Sequence, residues 1–200
     1  MAKCLLHGGF KGLTEPAWQA YFAEIFCGGD QEFAHAHSLN VVLVPWASSP
    51  KQWQNMAKKL AERCTKYWPE VRCDIQIAQT PEDLARLSQT ADIVYCHGGI
   101  FIEAMTRGMR QVCKDLKTSK VKIFTGFSAG AYGLATTYYN APKKAATEGG
   151  GLFNAAVCCH YNQTRTDARK ILATAAPKQK LCLLEDGSFV WVSAATSSLV

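Results

Sequence analysis

The sequence predicts an α/β fold: a single three-layer domain in which a mainly parallel sheet lies between helices. Three observations predict it. Apolar runs of strand length, such as Val41–Val44, Ile93–Cys96 and Val121–Phe124, recur along the chain and alternate with segments of helical period, the pattern of βα units. Helix starts carry their chemical signals in the right order, as in Thr80-Pro81-Glu82-Asp83, where a cap, a helix-opening proline and early acids follow one another. The chain has 200 residues, 48% of them hydrophobic, enough for one sizeable core and within the range of one domain, read as residues 1–200.

Taken in order, Cys4-Leu5-Leu6 opens as a strand, and Thr14 to Phe26 places Trp18, Phe22 and Ile25 or Phe26 at helical spacing. Val41–Val44 is a buried strand. Ser49 is a candidate cap with Pro50 at the first helical position, and Trp53, Met56, Leu60 and Cys64 then share one face of a helix ending near Trp68-Pro69. Val71 to Ala78 alternates as a strand before the helix that starts at Thr80. Ile93–Cys96 runs into His97-Gly98-Gly99, a helix spans about Ile102 to Leu116, and the strand Val121–Phe124 leads into Gly126-Phe127-Ser128-Ala129-Gly130-Ala131. Past a polar stretch from Asn140 to Gly151, the strand Ala155–Cys159, a helix from about Thr166, the strand Leu181–Leu184 and a hairpin signal at Glu185-Asp186-Gly187-Ser188 before Phe189–Val192 complete the reading.

Composition narrows the function. The nine cysteines are scattered, with no C-x-x-C pair and no signal-peptide pattern at Met1–Leu6, which predicts buried thiols in a reducing, cytoplasmic setting rather than a disulfide framework. No apolar run approaches the roughly 18 residues of a membrane span. The net charge of +6 comes from lysines and arginines spread along the chain, which suits a solvated surface better than a nucleic-acid groove. His35 and His37, without a third partner, read as loop residues rather than metal ligands. Neither a metal nor a cofactor is expected, and the sequence leaves the oligomeric state open.

The motif that carries chemistry is Gly126-Phe127-Ser128-Ala129-Gly130, a G-x-S-x-G between a predicted strand and a predicted helix, the context of a nucleophile elbow. A serine hydroxyl needs an imidazole to take its proton. The one histidine after it is His160, at the end of the Ala155–Cys159 strand, on the sheet edge where open α/β folds bind ligands. Of the two Gly-Gly turns, Gly98-Gly99 is the candidate for a second oxyanion donor, and Gly8-Gly9 reads as a plain turn.

These segments, with Cys159-His160-Tyr161 and the closing Asp186-Gly187-Ser188, resemble in order the dipeptidase E and cyanophycinase family of serine peptidases over about Val41 to Val192. The resemblance implies a class I glutamine amidotransferase-like (flavodoxin-like) fold and cleavage of short peptides next to an aspartyl residue. It further implies Ser128 as nucleophile, His160 as base and the amides of Gly99 and Ala129 as oxyanion hole. An acid is expected between serine and histidine. Glu148 is the one acidic residue there, with Asp167 in reserve. Thr164-Arg165 is similar to a stretch associated with recognition of the aspartyl carboxylate, a task that suits the planar guanidinium. Ile100 and Cys159 stand where the family often has asparagine and proline. Two rivals are an α/β-hydrolase esterase and a non-catalytic binding module of the same fold. The esterase order of serine, acid and histidine, spread over later strands, fits poorly after Ser128.

Overall fold

A computed structural model describes residues 2–10, 14–28, 33 and 36–193, with backbone alone at 27 and 28; His35 lies outside the described residues. The strands are β1 Lys3–His7, β2 Ser38–Val44, β3 Arg72–Ile77, β4 Ile93–Cys96, β5 Ile123–Phe127, β6 Ala135–Asn140, β7 Ala145–Glu148, β8 Phe153–Cys159, β9 Lys180–Leu184 and β10 Phe189–Ser193. The helices are α1 Glu15–Gly28, α2 Trp53–Tyr67, α3 Pro81–Leu87, α4 Ile102–Lys117, α5 Ala129–Leu134 and α6 Asp167–Ala175. Two short 3₁₀ turns, Pro50–Gln52 and Gln163–Arg165, precede α2 and α6.

The chain builds an α/β domain whose strand pairings are mostly parallel. Six strands form one sheet in the order β10-β1-β5-β4-β2-β3, with only β10 antiparallel to its neighbour. Its two central strands are buried along almost their whole length, as strands covered on both faces are: Ile93–Cys96 and Ile123–Gly126 are buried throughout. On one face Tyr21, Phe22 and Ile25 of α1 meet Leu60 and Cys64 of α2. On the other, α3, α4 and α5 bring Leu84, Met105, Met109, Leu116 and Tyr132 into a second core. In α4 the buried Met105, Met109, Val112 and Leu116 recur at helical spacing. Thr80 caps α3 by accepting from the amide of Asp83 at 3.2 Å, whereas Ser49 precedes a 3₁₀ turn and makes no side-chain cap.

Two expectations are corrected. The sheet is not one body: β7-β6-β8-β9 form a separate four-stranded sheet. Its central strand β8 alternates, sending Ala155, Val157 and Cys159 into the α4/α5 core and Ala156 and Cys158 against α6. This sheet exists because the helix after Ser128 stops at Leu134 and the chain continues as Ala-Thr-Thr-Tyr-Tyr, residues that fit a pleated, half-buried surface. The hairpin expected at Glu185–Ser188 is a turn, closed by the Ser188 amide on the Glu185 carbonyl at 3.1 Å, but its strands go to different sheets: β9 pairs with β8 and β10 with β1.

Candidate active site

Register brings the site together. In the first sheet His7 at the end of β1 stands opposite Phe127 at the end of β5, so the residues that follow, Gly8 and Ser128, emerge side by side. In the second sheet Cys159 of β8 stands opposite Leu184 of β9, and His160 and Asp186 emerge together in the same way. Where these two strand ends meet, Ser128 Oγ lies 2.9 Å from His160 Nε2 and His160 Nδ1 lies 2.8 Å from Asp186 Oδ1. An ionised carboxylate only accepts, so Nδ1 carries the imidazole proton and Nε2 is left to accept from the serine hydroxyl.

The two ends of the serine–histidine bond share an unusual backbone. Ser128 has φ 52° and His160 φ 53°, a region that costs a residue with a side chain about 1–3 kcal/mol. Tertiary hydrogen bonds hold both there. The Ser128 amide donates to the His7 carbonyl at 3.1 Å and its carbonyl accepts from the Tyr132 amide at 3.2 Å; the His160 amide donates to the Gly8 carbonyl at 3.2 Å. The elbow also needs glycine at 130, since a Cβ there would stand 2.0 Å from the Cys96 carbonyl oxygen.

The Gly8-Gly9 turn, expected to be plain, is the support of the histidine and its acid. Gly9 has φ 145°, and a Cβ on it would fall 2.2 Å from His160 Cε1 and 2.6 Å from Asp186 Oδ1. Its carbonyl accepts from the Gly187 amide at 3.0 Å, and its amide donates to His7 Nδ1 at 3.0 Å. His7 is fully buried and stacks on Phe10 at 4.0 Å. Burial above all lowers it to about 4, so it is neutral at neutral pH. Its Nε2 has no partner among the described residues, a loss of about 1–3 kcal/mol for a buried donor. Gly9→Ala should therefore lower kcat by about a hundredfold or more, the usual cost of displacing a reacting group by an ångström. Steady-state kinetics together with far-UV circular dichroism check it; near-normal turnover from a folded variant would mean that the turn does not set the histidine.

The other expected residues fall as follows. Glu148 is at the end of β7 with an exposed carboxylate 3.9 Å from Arg110, and Asp167, in the first turn of α6, accepts from the Tyr139 hydroxyl at 2.9 and 3.0 Å. Neither is hydrogen-bonded to His160. The carboxylate at the histidine is that of Asp186. The amides of Gly99 and Ala129 donate to no partner among the described residues, which leaves both free for an anionic oxygen. Gly99 belongs to a turn pinned by the Phe101 amide on the Ala47 carbonyl at 2.9 Å and by Ser48 Oγ on the Gly98 carbonyl at 3.2 Å. His97 is spent on that turn, its Nδ1 donating to the Gly98 carbonyl at 2.6 Å.

Ser128 and His160 open onto a cleft of about 1110 Å³ that Arg165 also lines. Arg165 uses one nitrogen on the Cys159 carbonyl, leaving other donors of its fork. Thr164 does not line this cleft; it lies in a separate hollow beside Asp186 and donates to Asn162 Oδ1 at 2.6 Å. Ile100, noted in the sequence as a departure from the family, and Phe101, which carried no signal there, stand 84% and 48% exposed on the cleft wall, giving it an apolar lip.

Comparisons with known proteins give the family and the fold. The profile of peptidase family S51 matches residues 30–200. No curated protein sequence matches the chain. Among solved structures, a protein from Listeria monocytogenes EGD-e assigned as a peptidase E superimposes with a TM-score of 0.58, covering 96% of this chain and 94% of that one. At 14% identity that likeness establishes the shared fold.

Proposed function

Since the chain belongs to peptidase family S51, a family of serine-type peptidases, we propose that it hydrolyses short peptides next to an aspartyl residue through a Ser128–His160–Asp186 triad. The observation that carries this reading is the continuous line of hydrogen bonds from Ser128 Oγ through both nitrogens of His160 to Asp186. Ser128 Oγ attacks the scissile carbonyl while its proton passes to His160 Nε2; the amides of Gly99 and Ala129 receive the oxyanion. The imidazolium, held in orientation by Asp186, then protonates the leaving amine, and the acyl group stays on Ser128 as an ester. Water, its proton taken by the same nitrogen, releases the acid and restores the serine.

Arg165 supports the aspartyl preference, because it lines the cleft with His160, is anchored on the carbonyl of the preceding Cys159, and a fork matches a carboxylate in two hydrogen bonds. Losing one partner of such a buried pair costs about 2–5 kcal/mol. Arg165→Ala should then cut kcat/KM for an Asp-X dipeptide by roughly thirtyfold or more and barely change a neutral ester. Arg165→Lys should recover only part, since an ammonium keeps the charge without the fork. Equal losses on both substrates would show that Arg165 serves the fold through its Cys159 contact. A fluorophosphonate tests the reading as a whole: intact mass should show one adduct, on Ser128, and an inert serine would favour a non-catalytic binding module of the same fold.

A further inference from the structure

Successive residues of the elbow face different hollows. Ser128 lines the cleft, whereas Phe127 lines a second cavity of about 310 Å³ on the α1/α2 side of the sheet, at the lower limit of ligand pockets, about 300–1,000 Å³. One long side is α2 and the turn before it, with Asn55, Lys59 and Arg63 among its residues; opposite it stand the rings of Phe10, Trp18, Tyr95, His97 and Phe127. Both hollows lie at the carboxyl edge of the parallel strands, where α/β folds bind ligands.

The chemistry of this wall is specific. Lys59 and Arg63 stand one helical turn apart, no carboxylate lines the cavity among the described residues, and neither cation has an ion-pair partner there. Arg63 lies over the Trp18 ring at 3.6 Å, and Trp18 stacks on Phe10 at 3.6 Å and 12°. Phe10 meets Phe127 edge-on at 4.7 Å, as His97 does at 4.7 Å. Burial above all holds His97 below its usual range, and the charges of Arg63 and Lys59 add to it, so their field reaches the inner end of the cavity. Lys59 is exposed and Arg63 half-buried at the rim of the hollow, whose aromatic lining offers ring edges, the faces of Phe10 and Trp18 being covered by His7, by each other and by Arg63.

We propose that this cavity is a second binding site, separate from the catalytic cleft, for a small flat organic anion whose ring lies among Phe10, Trp18 and Phe127 and whose charge meets Lys59 and Arg63. Cations at an aromatic wall recognise negative charge and planarity together, which neither feature does alone. The inference does not rest on the hydrolytic reading, and its test is one of binding.

Phenyl phosphate, benzoate, inorganic phosphate and neutral benzamide would be titrated into the full chain by calorimetry. Phenyl phosphate and benzoate should bind, benzamide and inorganic phosphate about tenfold or more weakly, and added salt should weaken the anions. Lys59→Ala with Arg63→Ala should raise the Kd about tenfold or more, and Arg165→Ala should leave it unchanged. Asn55→Glu, which adds an acid at the rim without removing packing, should give the same loss and guards against a misfolded double variant; thermal unfolding reports on each fold. Absence of binding by either aromatic anion, equal binding of benzamide, or loss in Arg165→Ala instead of the α2 variants would overturn the proposal, the last by moving the ligand into the catalytic cleft.

Discussion

Ser128→Ala should lower kcat on an Asp-X dipeptide by about four to six orders of magnitude, because members of a triad act as a unit and what remains is binding and the oxyanion site. The loss is chemical rather than structural. Position 128 has φ 52°, which strains alanine as it strains serine, and the backbone bonds to His7 and Tyr132 do not involve the hydroxyl. The unfolding temperature should accordingly stay within a few degrees, the shift expected for about 1 kcal/mol in a domain of this size. Single-turnover kinetics and intact-mass labelling check the prediction together. A fluorophosphonate adduct that persists in the alanine variant would place the nucleophile elsewhere.

Asp186→Asn should cost about four orders of magnitude in kcat, the loss known when the orienting acid of such a triad becomes an amide. An amide in place of the carboxylate can donate to Nδ1, which favours the tautomer with its proton on Nε2, facing the serine the wrong way. Glu148→Gln should leave kcat within about twofold, as for a surface substitution, since its carboxylate is exposed beside Arg110. Measured side by side, the two variants decide between the acid found at the histidine and the one expected from chain order. A collapse in Glu148→Gln with normal turnover in Asp186→Asn would reverse the assignment.

The contrast between these acids shows what the sequence could and could not carry. Ser128 and His160 were legible because each directly follows an apolar strand, and strand ends in such folds gather at one edge. Local signals likewise revealed α3 through Thr80-Pro81, and the helix read over about Ile102 to Leu116 is α4. Asp186 lies in the turn just past β9, within the Asp186-Gly187-Ser188 segment already part of the family resemblance. What identifies it is the parallel register of β9 on β8, with Leu184 opposite Cys159, and no local pattern encodes that pairing. An order carried over from the family pointed to Glu148 instead. Gly8-Gly9 was hidden for the same reason: its neighbours in space, His160 and Asp186, are remote in the chain. The second sheet was missed because Ala135–Asn140 follows the elbow helix without a break, and only the β-branched and aromatic residues at 136–139 hint at a strand.

The division into two sheets also bears on when the protein becomes active. The elbow belongs to the first sheet, the histidine and its acid to the second, and the Gly8-Gly9 turn that braces them returns to the first. During synthesis the chain emerges with Ser128 first, His160 later and Asp186 last. On the proposed reading, a chain without β8 and β9 lacks the residues that would activate its serine. The proposed triad is therefore complete only when the segment that carries β9 and Asp186 has joined the rest of the fold.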